Sequence, residues 1–218
     1  DNNVYCVIMA GGGGARLWPR SRRSMPKQFL DIFNTGKSFL RITFERFAKL
    51  VAPENFLVVT NAGYKDLVLE HIPELKESQV LCEPIGRNTA PCICYAAYTL
   101  RKQNPDAKMI VTPADHIMLQ EDEFRSIAAE LLEFIDSNDV LMTVGLTPTR
   151  PETGYGYIQI ADEQGENFYE VKTFVEKPQL EFAEIFVASD PFLNAKIKSF
   201  PTFDFFTLFF SSPTIAST

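Results

Sequence analysis

The chain has no unbroken apolar run approaching the ~20 residues that a membrane-spanning helix needs. Its first residues, Asp1-Asn2-Asn3-Val4, lack a basic stretch followed by an apolar one, so no secretory leader is expected. It also lacks net positive charge. Twenty-eight acidic against 21 basic residues give a formal charge of -7, which argues against a nucleic-acid partner or an anionic membrane surface. Any phosphate ligand must then be held by a local basic cluster. Cysteine is sparse: Cys6, Cys82, Cys92 and Cys94 lie in or beside apolar segments. Cys92-x-Cys94 has no second Cys or His pair to complete a zinc site. These are expected to be small buried thiols in a reducing compartment. The expectation is a soluble cytoplasmic protein whose 218 residues suffice for a core without staples.

What is present is alternation. Tyr5–Ala10, Phe56–Thr60, Val80–Cys82, Met109–Thr112 and Val140–Val144 read as short buried strands. Between them lie amphipathic stretches. Asp122–Asp136 carries Phe124, Ile127, Ala128, Leu131 and Ile135 at helical spacing. Ala90–Arg101 follows Asn88 and Thr89, either of which can cap it, with Pro91 suited to the first turn. This pattern predicts an α/β fold: a Rossmann-like, mostly parallel sheet with helices on both faces. Beyond Val144 two strands, 154–160 and 169–175, predict an appended antiparallel pair. Residues 1–198 read as one domain. Residues 199–218, with six phenylalanines and one charge, read as a divergent tail, irregular or packed over exposed sheet.

Ligands of parallel sheets collect at the carboxyl ends of the strands, which directs attention to three loops. After Ala10 comes Gly11-Gly12-Gly13-Gly14-Ala15-Arg16-Leu17-Trp18-Pro19. Glycines permit close backbone approach, and successive N–H groups can form an anion-binding concavity. Neither the dinucleotide fingerprint nor a P-loop fits. Gly36-Lys37-Ser38 lacks the leading glycine and reads as a turn before a helix starting near Phe39. Arg16, Arg20, Arg22, Arg23 and Lys27 fall within twelve positions with no acid between them. They form either a solvated basic loop or a triphosphate clamp, for which Arg16 and Lys27 are the chosen residues.

The second loop, Glu83-Pro84-Ile85-Gly86-Arg87-Asn88-Thr89, opens a helix. It is either an ordinary helix start or a place where a carboxylate accepts from the N1–H and N2–H₂ of guanine. In the third, Thr112-Pro113-Ala114-Asp115-His116, Asp115 follows an apolar strand and is either a cap or a ligand for Mg²⁺ against phosphate oxygens. His116 reads as a structural hydrogen-bonding group rather than a base. Farther on, Gly154 and Gly156 in Pro151–Ile158 could admit a sugar hydroxyl. Glu176-Lys177-Pro178 alone reads as a charged strand end.

The glycine loop with Arg16-Leu17-Trp18-Pro19, Pro26-Lys27-Gln28-Phe29-Leu30, Glu83–Pro91, Pro113-Ala114-Asp115-His116, Gly154-Tyr155-Gly156-Tyr157 and Glu176-Lys177-Pro178 together resemble the mannose-1-phosphate guanylyltransferases among sugar-1-phosphate nucleotidyltransferases. The resemblance runs from about Val7 to Phe192. Gly14 and Ala15 stand where that family usually has Ser and Thr. It implies a GT-A-like nucleotidyltransferase fold and the conversion of GTP and mannose 1-phosphate to GDP-mannose and pyrophosphate. Arg16, Lys27 and Asp115 would be catalytic, with Asp115 on Mg²⁺. Gly11 to Gly14, Glu83, Arg87 and Asn88 would hold the nucleotide, and Gly154, Glu176, Lys177 and Asn194 the sugar phosphate. It leaves homodimerisation open. The same transfer with another sugar phosphate or nucleotide, and an impaired nucleotide-sugar binder, are the alternatives. Leu193-Asn194-Ala195-Lys196 departs from the family pattern. The family's second metal aspartate is expected beyond residue 218, so nucleotide binding is expected to outlast turnover.

Overall fold

The computed structural model describes residues 3–12, 17–86, 88–165, 168–189 and 208–210. Two compact units divide the chain, residues 1–142 with 207–218, and residues 143–206. In the first, β1 (Val4–Met9), β2 (Phe56–Asn61), β3 (Val80–Glu83) and β4 (Lys108–Pro113) pair in parallel in the order β3-β2-β1-β4. The helices are α1 (Phe39–Phe47), α2 (Lys65–His71), α3 (Thr89–Gln103) and α4 (Glu121–Ser137).

Strand register divides the core between two faces. Val7 lies opposite Leu57 and Val111, and Met9 opposite Val59. These odd-numbered residues pack with Cys92, Ala96, Ala97 and Leu100 of α3. The alternate residues Cys6, Ile8, Phe56, Val58 and Ile110 are also fully buried, on the opposite face, where Phe44 of α1 meets Phe56 at 4.7 Å between ring centroids. Phe47 of α1 meets Phe124 of α4 edge-on at 5.5 Å. Burial along β1, complete except at the partly buried Tyr5 and Met9, is what a strand covered by helices on both faces requires.

Gly36-Lys37-Ser38 is structural, as expected. Gly36 turns with φ of 77° and its N–H donates to Asp31 at 2.7 Å. Lys37 pairs with Glu45 at 2.6 Å, and the Ser38 hydroxyl caps α1 by accepting from the Arg41 N–H. Cys94 departs from the expectation of buried thiols. It is exposed whereas Cys92 is buried, because residues two apart on a helix point in different directions.

The tail also differs from an irregular segment. Leu208–Phe210 forms β8, antiparallel to β4, with Met109 opposite Phe210. The sheet continues to β5 (Leu141–Thr143), completing the order β3-β2-β1-β4-β8-β5. The backbone groups of β4 left free by β1 need partners, and a short strand supplies them without a long alternating pattern.

In the second unit β6 (Tyr157–Gly165) and β7 (Phe168–Val175) form the antiparallel pair, longer than expected and bulged at three places. α5 (Leu180–Ala188), unforeseen in the sequence, rests Phe186 against Tyr157 at 5.4 Å between ring centroids. Among the described residues no helix is long and apolar enough to cross a membrane.

Phe47 has no exposed surface and bridges α1 to α4. Phe47→Ala should cost about 3–5 kcal/mol of unfolding free energy, measured by urea titration. A loss under ~1 kcal/mol would show that this contact does not hold the helices.

Candidate functional site

Because β1 to β4 run parallel, Met9, Asn61, Glu83 and Pro113 all end at one edge of the sheet. The chain leaves β1 toward β2 and β3 on one side, and β4, entered from β3, lies on the other side of β1; this reversal of strand order is where a doubly wound sheet opens a crevice. The glycine loop leaves β1 at this point. Its first carbonyl, on Ala10, accepts from the Gln28 side-chain amide at 2.7 Å and the Thr60 hydroxyl at 2.9 Å. The Ala10 N–H donates to the Val59 carbonyl at 2.8 Å. Gln28 and Thr60 are themselves buried. The loop therefore departs from a fixed peptide.

Gly11 has a structural reason to lack a side chain. A Cβ there would stand 3.3 Å from Glu83 Oε2. The glycine loop and the end of β3 thus approach each other above β2. Burial raises the Glu83 carboxyl above its ordinary value. Burial also pushes the Cys92 thiol up to about 12, with the Glu83 charge adding to the effect.

Asn88 occupies the N-cap position of α3, yet its side chain makes no capping bond. Its backbone lies at φ 69° and ψ -163°, a region that side-chain-bearing residues avoid. Capping by Asn88 is therefore not what the structure uses, and the residue is exposed.

Asp115 follows β4 and forms an ion pair with Lys27. Both side chains are partly exposed, at 23% and 34%. Lys27 begins a single 3-10 turn, Lys27–Phe29, which turns Gln28 and Phe29 into the core and leaves the ammonium toward Asp115. Arg22 donates to the Pro19 carbonyl at 3.2 Å, and Arg20, Arg22 and Arg23 are exposed. His116 is mostly buried. Burial holds its imidazole well below the ordinary value, with Arg46 and Lys27 adding to the lowering and Asp115 opposing it.

In the second unit, Glu176 and Lys177 are exposed and pair with each other at 2.8 Å, with Lys177 at φ 41°. A Cβ at Gly156 would meet Phe174 at 3.1 Å and Glu176 Oε2 at 3.4 Å. Gly156 thus lies against the Glu176 side chain. The Gly154 N–H donates to Glu152 Oε1 at 3.3 Å. Gly13, Gly14, Arg16, Arg87 and Asn194 lie outside the described residues.

Four residues around the first unit's edge carry no motif of their own in the sequence analysis: Gln28, Thr60, Thr43 and Arg46. Gln28 stood inside a quoted motif but its role was not read. Thr60 is signalled only as a polar residue in an apolar strand, and Thr43 and Arg46 do not stand out in the amphipathic α1. Among the described residues, no three carboxylate, thiol or imidazole groups gather into a metal-binding cluster.

The family model described as nucleotidyl transferase matches residues 5–199. A mannose-1-phosphate guanylyltransferase of Escherichia coli strain K12 is 40% identical over 197 residues, covering 87% of this chain and 41% of that protein. One of Klebsiella pneumoniae is 40% identical over 188 residues, covering 84% and 39%. The chain thus spans about two fifths of the length of these curated relatives. A solved structure from Thermus thermophilus, described as a mannose-1-phosphate geranyltransferase, superposes with a TM-score of 0.82 at 34% identity, covering 98% of this chain and 59% of that one.

The lowered His116 value links stability to pH. The folded chain binds fewer protons than the unfolded one once pH falls below the ordinary histidine value of 6.5. Stability should be retained above that pH and decline as pH falls toward the folded value. His116→Gln should flatten this decline in urea midpoints collected from pH 8 down to about 4. A profile unchanged by the substitution would remove His116 as a contributor.

Proposed function

The chain belongs to the nucleotidyl transferase family, and from that premise we propose that it transfers GMP from GTP to mannose 1-phosphate. A phosphate oxygen of the sugar phosphate attacks the α-phosphorus of GTP. The bond from the α-phosphorus to the α,β-bridging oxygen breaks, and pyrophosphate leaves with that oxygen. The acceptor is already ionised, so no general base is required.

The observation that carries the reading is the convergence of the glycine loop, Glu83 and the Lys27–Asp115 pair at one sheet edge. In this reading Glu83 accepts from the guanine N1–H and N2–H₂. Adenine offers no matching donors there, and such mismatches discriminate strongly. The amides of Gly11 to Gly14, with Arg16 and Lys27, receive the phosphates, and Arg87 and Asn88 complete the nucleotide contacts. Gly154, Glu176, Lys177 and Asn194 bind mannose 1-phosphate. Catalysis rests on positioning and charge neutralisation.

The donor set fits Mg²⁺. One partly exposed carboxylate at a strand end is what this ion uses when substrate phosphates and water supply its other ligands. Asp115 would hold it, and bound there it would neutralise charge developing on the phosphates. In the free chain Lys27 balances the Asp115 charge. A cytoplasmic setting belongs to the same reading.

GTP should bind more tightly than ATP by calorimetry, and Glu83→Ala should abolish the preference. Equal affinities for the two nucleotides would remove the guanine assignment. Asp115→Asn should lower metal-dependent pyrophosphate release with GTP and mannose 1-phosphate by on the order of 10²-fold, with melting temperature preserved. Wild-type release in that variant, or faster release with ATP and glucose 1-phosphate, would sink the reading.

A further inference from the structure

Two buried polar side chains of α1 reach the loop that carries Asp115. The Thr43 hydroxyl donates to the Ala114 carbonyl at 3.1 Å. The Arg46 Nη2 donates to the His116 carbonyl at 3.1 Å, and its Nε to Glu121 Oε1 at 3.1 Å. Residues three apart on a helix share a face, so α1 presents both donors together. They grip the carbonyl before Asp115 and the carbonyl after it. The Ala114 N–H also donates to the Met9 carbonyl at 3.0 Å. The main chain around Asp115 is thereby tied to α1, to β1 and, through Glu121, to the start of α4.

Stability alone explains this arrangement poorly. Thr43 is fully buried, and the Arg46 side chain has no exposed surface. A buried ion pair is often matched or exceeded by packed apolar residues of similar volume. Burial lowers the Arg46 value, and Glu121 offsets this only in part, so the guanidinium carries a desolvation cost. What the two donors do supply is a fixed position for the carbonyls of the residues on either side of Asp115.

We propose that Thr43 and Arg46 are positioning residues that orient the Asp115 carboxylate toward a divalent cation, a role resting on the reading of Asp115 as a cation ligand. Neither residue touches the reacting atoms. Their effect is exerted through the Ala114 and His116 carbonyls. Partners that orient a ligand in this way commonly change metal affinity by roughly 10- to 100-fold when removed.

The test uses the ¹⁵N-labelled 218-residue chain and Mn²⁺ as the probe. The Mn²⁺ concentration that half-broadens amide resonances around Asp115 is measured alongside the melting temperature. Thr43→Val keeps the side-chain shape but removes the donor, and should raise that concentration roughly tenfold. Thr43→Ser should restore it. The double variant Arg46→Met, Glu121→Leu removes the other grip without stranding a charge, and should shift the midpoint in the same direction. Asp115→Asn should abolish local broadening. If Asp115→Asn abolishes broadening while Thr43→Val leaves the midpoint unchanged, even with a lower melting temperature, the positioning role is overturned and the Asp115 assignment stands. If Asp115→Asn broadens as wild type does, the assignment and this inference fall together.

Discussion

The two-sided parallel pairing of β1, with β2 along one side and β4 along the other, constrains the rest of this structure. Its backbone groups are satisfied on both sides, and its side chains are covered by helices on both faces. Nothing polar on β1 can serve a ligand until the strand ends. Chemistry is therefore displaced to the loops beyond Met9, Glu83 and Pro113. Parallel direction brings those loops to the same edge. The separation of Glu83 from Asp115 follows from strand order, with one on the β3 side and the other on the β4 side of the glycine loop.

Much of this was legible because it rests on local chemistry. Apolar runs marked β1, β2 and β4. The apolar face at helical spacing marked α4, whose Phe124, Ala128, Leu131 and Ile135 are buried as that spacing requires. Glycines, an arginine-rich stretch and acids at strand ends marked the edge. The Lys27–Asp115 pairing was not legible. The two residues were chosen separately, and only the tertiary fold shows that one neutralises the other across 88 positions of sequence. β8 was hidden for a related reason. A strand of three residues has no periodicity to detect, and its place is set by the side of β4 that β1 leaves unpaired rather than by its own pattern. The capping role considered for Asn88 failed because a cap is inferred from residue type and position. Its backbone enters α3 at φ 69° and ψ -163°, and residue type does not reveal those angles.

The charge balance also has a spatial logic. An acidic chain can hold an anion if its carboxylates near the site are occupied or useful. Asp115 is balanced by Lys27, and Glu45 and Glu74 are taken up by Lys37 and Arg41 along α1. Glu83 lacks such a cation among the ion pairs of the described residues, and burial raises its carboxyl value. An acceptor for ligand N–H groups gains from this environment. Partial burial raises the cost of leaving the carboxylate without donors, and a ligand that supplies two of them removes that cost.

Buried polar groups sharpen the contrast between the two edges of the sheet. At the amino edge, the Gln79 amide donates to the carbonyls of Pro53 and Phe56, serving a turn that no motif marks. At the carboxyl edge, among the described residues, Gln28 and Thr60 donate to Ala10, Thr43 and Arg46 to the carbonyls of Ala114 and His116, and Thr112 to Pro113. Each carries a desolvation cost that an apolar residue would avoid. Concentrating that cost on two loops makes sense if the loops must hold one conformation while their own side chains and amides stay free for a ligand. An ordinary loop can satisfy its carbonyls with water. A loop whose outward groups are reserved must be secured from behind, and at this edge the core supplies the donors.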